Sequence, residues 1–131
     1  MTFATNFGLQ PLADYITVDQ GKDRIGIVDI GSNTVRMVVY DAPARLPVPI
    51  FNERAICALG KGIGVTGHLD PLGKELAFEA LVRFCGLANE MEVGQFCILA
   101  TAAVRDAKDG AEFAKEVEKR LGYAVKILSG E

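Results

Sequence analysis

Two short apolar segments joined by a tight turn constrain this chain more than any other feature of its sequence. The first covers residues 25–30 and the second residues 35–40, and both are rich in β-branched side chains. Such runs are typical of buried strands. Gly31, Ser32 and Asn33 stand between them, and these residue types favour turns. The segment therefore predicts a β-hairpin with a polar tip.

The remainder of the chain alternates between helix and strand patterns. Three more strands are predicted, over residues 50–59, 96–101 and 123–128. One helix begins after Asp70, a good N-cap followed by proline, and another covers residues 111–121 behind Asp109. The longer helix carries an apolar stripe that we expect to face the core, formed by Leu72, Leu76, Ala80, Phe84, Leu87 and Met91. The order β-β-β-α-β-α-β predicts an α/β fold with a mixed five-stranded sheet and flanking helices.

The composition is that of a globular protein. Of the 131 residues, 50% are apolar and 24% are charged, which suits one domain and excludes a disordered chain. No clear period precedes residue 25, so we expect residues 1–24 to be a poorly structured leader and residues 25–131 to be one incomplete lobe. No stretch approaches the roughly 18 apolar residues of a membrane span, and no secretory signal is visible. We therefore expect no membrane association.

The cysteines and the net charge indicate the cellular location of the protein and the kind of partner it binds. None of the 3 cysteines belongs to a C-x-x-C pair, so neither a disulfide framework nor a structural zinc site is expected. Reduced thiols predict a cytoplasmic protein. The net charge of −3 argues against a nucleic-acid polymer as partner, while it leaves room for a local basic pocket.

The tip of the predicted hairpin is the first candidate site. Gly31 permits a positive φ and lets a ligand approach the backbone. Successive amides in such a turn can form an anion-binding nest, to which Ser32 and Asn33 add side-chain donors. Asp29, at the strand end, is suited to a hydrated Mg²⁺. The alternative is an ordinary hairpin turn, since the same residue types favour turns.

The second candidate site follows the predicted fourth strand. Thr101 and Arg105 are four residues apart, so on a helix they share one face. Residues 102–107 are predicted to form one or two helical turns, and free N–H groups at their start attract anions. The Arg105 guanidinium suits phosphate oxygens. The alternative is a surface arginine paired with Asp106 or Asp109. The glycine-rich segment 60–67 matches the pattern G-x-G-x-x-G, but it lies before a helix without the required strand and acidic residue, so we reject a dinucleotide site.

Four segments, in this order, resemble the exopolyphosphatase/guanosine pentaphosphate phosphohydrolase (Ppx/GppA) family. They are G-I-V-D-I-G-S-N-T-V-R-M-V-V-Y, the glycine loop with G-V-T-G, A-T-A-A-V-R-D-A, and I-L-S-G-E at the end. The resemblance covers about four-fifths of the chain. It implies a ribonuclease H-like lobe of the actin-like ATPase superfamily, in which two lobes flank a phosphate-binding cleft.

The resemblance also implies roles for individual residues. It assigns Gly31, Ser32 and Asn33 to the first phosphate loop, with Asp29 as the metal-binding residue for Mg²⁺. It assigns substrate phosphate binding to Thr101, Arg105 and Arg54. The water-activating glutamate of the family would lie just past Glu131, so no catalytic residue is assigned within the chain, and this segment alone is expected to be inactive.

The implied function is hydrolytic release of terminal phosphate from inorganic polyphosphate, guanosine pentaphosphate or both, assisted by Mg²⁺. The resemblance further implies a homodimer for the full-length protein. Two alternatives stay open: a lobe of an actin-like kinase, and a non-catalytic domain that senses a nucleotide or polyphosphate.

Overall fold

A single mixed sheet organises the described part of the chain. The computed structural model describes Tyr15, Thr17–Val18 and residues 22–41 and 48–130. The strands within these residues are β1 (Thr17–Val18), β2 (Arg24–Ile30), β3 (Thr34–Tyr40), β4 (Pro49–Ile56), β5 (Val93–Ala100) and β6 (Val125–Ile127). The helices are α1 (Ile63–Thr66), α2 (Pro71–Glu90), α3 (Ala102–Asp106) and α4 (Gly110–Leu121).

The strand pairing confirms the predicted hairpin and the mixed sheet. Strands β2, β3 and β4 form an antiparallel meander, in which Ile30 pairs with Val35 at the hairpin tip. Strand β5 lies parallel to β2 on its other side, and β6 continues the sheet parallel to the end of β5. The carboxyl ends of β2, β4, β5 and β6 therefore all lie at one edge of the sheet.

Both long helices pack on one face of the sheet. Residues Val28 and Ile98 of the sheet belong to the same buried cluster as Phe84 of α2 and Val117 of α4. This follows from the connections, because successive right-handed crossovers in one direction place their helices on the same side. Side chains at alternate strand positions, such as Asp29, point to the opposite face.

The core-facing stripe predicted for α2 is wrong in its first half. Leu72 and Leu76 are 61% and 36% exposed. Gly73 is buried instead, because a Cβ there would lie 2.9 Å from Leu59 Cα, so the helix approaches the preceding loop too closely for a large side chain. The buried residues of this helix are mainly small, since only two of them are larger than alanine. They are Gly73, Ala77, Ala80, Leu81, Phe84 and Ala88.

Several predicted boundaries also shift. The third strand ends at Ile56 rather than at residue 59, because the next amides, of Cys57 and Ala58, leave the ladder to donate to Asn33 O. The glycine-rich segment contains the short helix α1, bracketed by the left-handed Gly62 and Gly67. Asp70 caps α2 as predicted, since its carboxylate accepts from Gly73 N at 2.8 Å.

Most of the predicted leader, residues 1–24, lies outside the described residues, so the domain boundary stays a prediction. Within it, Thr17 pairs with Phe96 of β5, which adds a sixth strand to the five predicted, and β2 begins at Arg24. Two residues are too few to show strand periodicity in the sequence. None of the helices in the described ranges is long and apolar enough to cross a membrane.

Candidate functional site

The hairpin tip presents two backbone N–H groups that are not used by the fold. In the described part of the chain, the amides of Ser32 and Asn33 donate to no protein oxygen, whereas Gly31 N donates to Thr34 O at 2.9 Å. The Ser32 carbonyl accepts from Gly60 N at 2.8 Å. Because a trans peptide unit holds its N–H opposite its C=O, the Asn33 N–H points away from Gly60. The tip therefore offers donors to an anion.

The segment 57–60 fixes the tip from behind. Asn33 O accepts from Cys57 N at 2.9 Å and from Ala58 N at 3.0 Å. Ala58 adopts a left-handed conformation with φ 53, a strained state for a residue with a Cβ. The surrounding hydrogen bonds hold it there. The sequence does not mark this segment as part of the site, because neither cysteine nor alanine carries a turn signal.

Gly31 does not use the positive φ that glycine permits. Among the described residues, the glycines in the left-handed region are Gly62, Gly67 and Gly122. The small size of Gly31 matters for a different reason: a Cβ at Gly31 would lie 3.2 Å from Thr34 O, within the tight turn itself.

Thr101 lies beside the hairpin tip, at the start of α3. Its N–H donates to Ile30 O at 3.1 Å, and its hydroxyl lies 3.4 Å from the same oxygen. Thr101 is the N-cap residue and has non-helical angles, so it precedes the helix rather than sharing a helical face with Arg105. Gly60 packs between Ser32 of the hairpin tip and Ala103 of α3. A Cβ on Gly60 would lie 3.2 Å from Ser32 Cβ and 3.4 Å from Ala103 Cβ.

Arg105 occupies the same sheet edge and takes part in an ion pair. Its Nε and one terminal nitrogen donate to Asp106 at 3.0 and 3.4 Å. This is one of the two pairings that the surface alternative predicted. The guanidinium also lies against Gly130, where a Cβ would be 3.5 Å from Arg105 Cζ. Arg105 is thus one-third exposed and placed next to the segment that follows β6.

Arg54 lies apart from this group, on the sheet face opposite the long helices. It pairs across the ladder with Arg36, which in turn pairs with Asp29, so the three charges form a row across β4, β3 and β2. Partial burial raises the pKa of Asp29, and the nearby Arg36 opposes that shift. The row lies inside the edge that carries Ser32 and Thr101, because Asp29 pairs with Leu99, two residues before Thr101.

The expected metal site rests on one carboxylate. Among residues 22–41 and 48–130, no group of three or more His, Cys, Asp and Glu side chains could hold a metal ion. Mg²⁺ keeps most of its waters and commonly binds through one or two carboxylates plus substrate phosphates. Asp29, which is partly exposed beside the hairpin tip, fits such a site with one carboxylate and substrate phosphates. Glu131 lies outside the described residues.

Comparison with known proteins identifies the family. The model of the "Ppx/GppA phosphatase family" matches residues 38–131. Exopolyphosphatase 1 of Mycobacterium tuberculosis is 29% identical over 109 residues, which are 82% of this chain and 32% of that protein. Guanosine-5'-triphosphate,3'-diphosphate pyrophosphatase of Pseudoalteromonas translucida is 26% identical over 84% of this chain and 22% of its own length. The chain thus spans at most about a third of these relatives.

A solved structure agrees with this assignment. The Ppx/GppA family member of Aquifex aeolicus has 28% sequence identity and superposes with a TM-score of 0.79, over 83% of this chain and 36% of that one. The predicted α/β fold, with its mixed sheet and flanking helices, is confirmed by this likeness and by the strand pairing. The chain therefore belongs to the Ppx/GppA phosphatase family.

Proposed function

We propose that the protein containing this segment is a phosphohydrolase that releases terminal phosphate from inorganic polyphosphate or guanosine pentaphosphate. Two relatives support the proposal by name, an exopolyphosphatase and a guanosine-5'-triphosphate,3'-diphosphate pyrophosphatase. Both matches cover most of this chain. The segment contributes one wall of the phosphate site.

One structural observation carries the proposal furthest. The unused N–H groups of Ser32 and Asn33 lie at the same sheet edge as Thr101 and Arg105. Backbone donors fixed in place before the ligand arrives cost no reorganisation when negative charge develops on a phosphoryl group. An ordinary hairpin turn needs no second segment to hold its carbonyl groups. Here residues 57–60 bind the Ser32 and Asn33 carbonyl oxygens.

The residues of this segment would bind and orient the phosphate. The Ser32 and Asn33 amides would hold its oxygens, and Arg105 would neutralise charge in exchange for its present partner, Asp106. Asp29 would hold Mg²⁺, which when bound supplies charge neutralisation on the phosphate oxygens. Gly130 packs against Arg105, and the base that activates the attacking water is expected among the residues that follow Gly130.

The cellular location of the protein is proposed from its cysteines. Cys57, Cys85 and Cys97 are all free thiols, which suits the reducing cytoplasm. The homodimer implied by the resemblance stays a prediction for the full-length protein.

Phosphate release tests the function directly. The full-length protein is incubated with Mg²⁺ and either inorganic polyphosphate or guanosine pentaphosphate, and orthophosphate is measured over time. We expect release from at least one substrate, lost on removal of Mg²⁺ with a chelator. Transfer of phosphate from ATP to an acceptor without orthophosphate release would favour the kinase alternative. Substrate binding without any turnover would favour the sensing alternative.

A further inference from the structure

The groove between α2 and α4 lies on the outer face of the helix layer and takes no part in the proposed phosphate site. It encloses a cavity of about 710 Å³, lined by residues of both helices and of the turn before α4. Its floor is aromatic: the rings of Phe78 and Phe113 lie 5.2 Å apart between centroids, with Phe113 buried and Phe78 half-buried. An apolar side chain entering the groove would find a matching surface on Phe78.

The rim of the groove is strongly acidic. Among the described residues, five carboxylates and two cations, Lys74 and Arg120, line it. Two of the carboxylates are neutralised within the groove, because Asp109 pairs with Lys74 at 3.2 Å and Glu116 with Arg120 at 2.8 Å. In the part of the chain that the structure describes, the other three have no ion pair: Glu75, Glu79 and Glu112.

The groove already holds one guanidinium in the way a ligand cation would be held. Arg120 Cζ lies 4.3 Å from the centroid of the Phe78 ring, while Arg120 Nε donates to Glu116. A cation between a carboxylate and an aromatic face gains from both. The three unpaired carboxylates offer similar positions to cations from outside.

We propose that this groove, lined by α2 and α4, docks a basic amphipathic helix of a partner protein. Lysine or arginine side chains of that helix would pair with Glu75, Glu79 and Glu112. One apolar side chain would contact the part of the Phe78 ring that Arg120 and Phe113 leave exposed. Charge complementarity selects this occupant. A second copy of the chain carries a net charge of −3, and a polyphosphate is itself anionic, so both are disfavoured. A helix fits a groove between two helices through spaced apolar anchors.

Titration with a synthetic basic helix tests the proposal. The probe is a Lys/Leu peptide of about four turns with one apolar face, labelled for fluorescence anisotropy and added to the 131-residue chain at low salt. We expect a dissociation constant on the order of 10 µM. The triple variant Glu75→Gln/Glu79→Gln/Glu112→Gln is expected to bind about tenfold more weakly or worse. Circular dichroism confirms that the variant is folded.

A charge-matched control separates the groove from net charge. The triple variant Asp23→Asn/Glu92→Gln/Glu118→Gln removes three exposed carboxylates outside the groove and is expected to bind as the unchanged protein does. Equal weakening in both triple variants would overturn the proposal. It would also be overturned by absence of binding at about 1 mM, or by equal affinity for a scrambled peptide or for spermine, since both lack the apolar face.

Discussion

The carboxylate of Asp109 accepts a hydrogen bond from the backbone N–H of Leu69 at 2.9 Å, across 40 positions of sequence. Leu69 precedes α2 and Asp109 precedes α4, so this contact joins the beginnings of the two long helices. The second carboxylate oxygen accepts from Lys74 Nζ at 3.2 Å. Asp109 occupies the predicted N-cap position of α4, but its side chain makes no capping bond there. It ties two helices together instead of capping one.

The pH dependence of stability should report this contact. Partial burial acts to raise the pKa of Asp109, but the bonds from Leu69 and Lys74 outweigh it, so the pKa lies below the ordinary 3.8. The folded state therefore prefers the charged form. Its contribution is complete above pH 3.8 and is lost as the pH falls through the lower folded pKa.

We expect Asp109→Asn to lower the free energy of unfolding by about 0.5–1.5 kcal/mol at neutral pH, because the amide can still accept from Leu69 but no longer pairs with Lys74. The gap between variant and unchanged protein should narrow on acidification below pH 3.8. Urea unfolding, followed by circular dichroism at several pH values, measures it. A gap that stays constant down to about pH 2 would contradict this origin.

Two glycines of the same helix should respond to alanine in opposite ways. A Cβ at Gly73 would lie 2.9 Å from Leu59 Cα and 3.0 Å from two backbone oxygens, whereas nothing lies within 4 Å of a Cβ at Gly86. Gly73→Ala should therefore destabilise the fold by about 1–3 kcal/mol through overpacking. Gly86→Ala should stabilise it by roughly 0.5–1 kcal/mol through helix propensity. Urea midpoints compare them, and two shifts of the same sign would refute the packing argument.

The thiols of Cys85, which is half-buried, and Cys97, which is buried, should be slow nucleophiles. Burial raises the pKa of Cys85 and of Cys97 to about 11, against an ordinary value of 9.0. At pH 8 the thiolate fraction of each would be about 100-fold smaller than that of an exposed cysteine. Alkylation proceeds through the thiolate. We expect iodoacetamide to label both slowly in the folded chain and rapidly in urea, as mass spectrometry can follow residue by residue. Labelling at equal rates in both conditions would show that these thiols are not protected.

Strand and helix order was predictable because local patterns decide it. The apolar runs around residues 25–30 and 35–40 are buried in the sheet as their composition indicated, and Asp70 with Pro71 begins α2. The error in the stripe of α2 has a physical reason. Which face of a helix is buried depends on how closely it approaches its neighbours, and at Gly73 that distance is set by the folding of the preceding loop, residues 57–59, against the helix.

The residue types of the candidate site are visible in the sequence, but their geometry is not. Turn-forming residues and an arginine after a buried strand are visible in the sequence, and their meeting at one sheet edge follows from parallel strands. The fixing of the Asn33 carbonyl by Cys57 and Ala58 is not visible, because it arises from backbone groups that any residue carries. The pairing of Arg105 with its immediate neighbour was one of two alternatives, and only the structure chose between them.

The ion pair between Arg105 and Asp106 leads to a two-sided prediction for phosphate binding. If Arg105 contacts phosphate, Arg105→Ala should weaken binding of inorganic polyphosphate about tenfold or more, the effect of losing a charge-assisted hydrogen bond. Asp106→Asn should strengthen it, because the guanidinium no longer has a competing carboxylate at 3.0 Å.

Lys119→Ala and Glu118→Gln, exposed and on α4, change the charge by the same amounts and serve as controls. Isothermal titration of all five proteins at one salt concentration gives the comparison. If Arg105→Ala and Lys119→Ala lose affinity equally, only net charge is being measured, and Arg105 is a surface arginine paired with its neighbour.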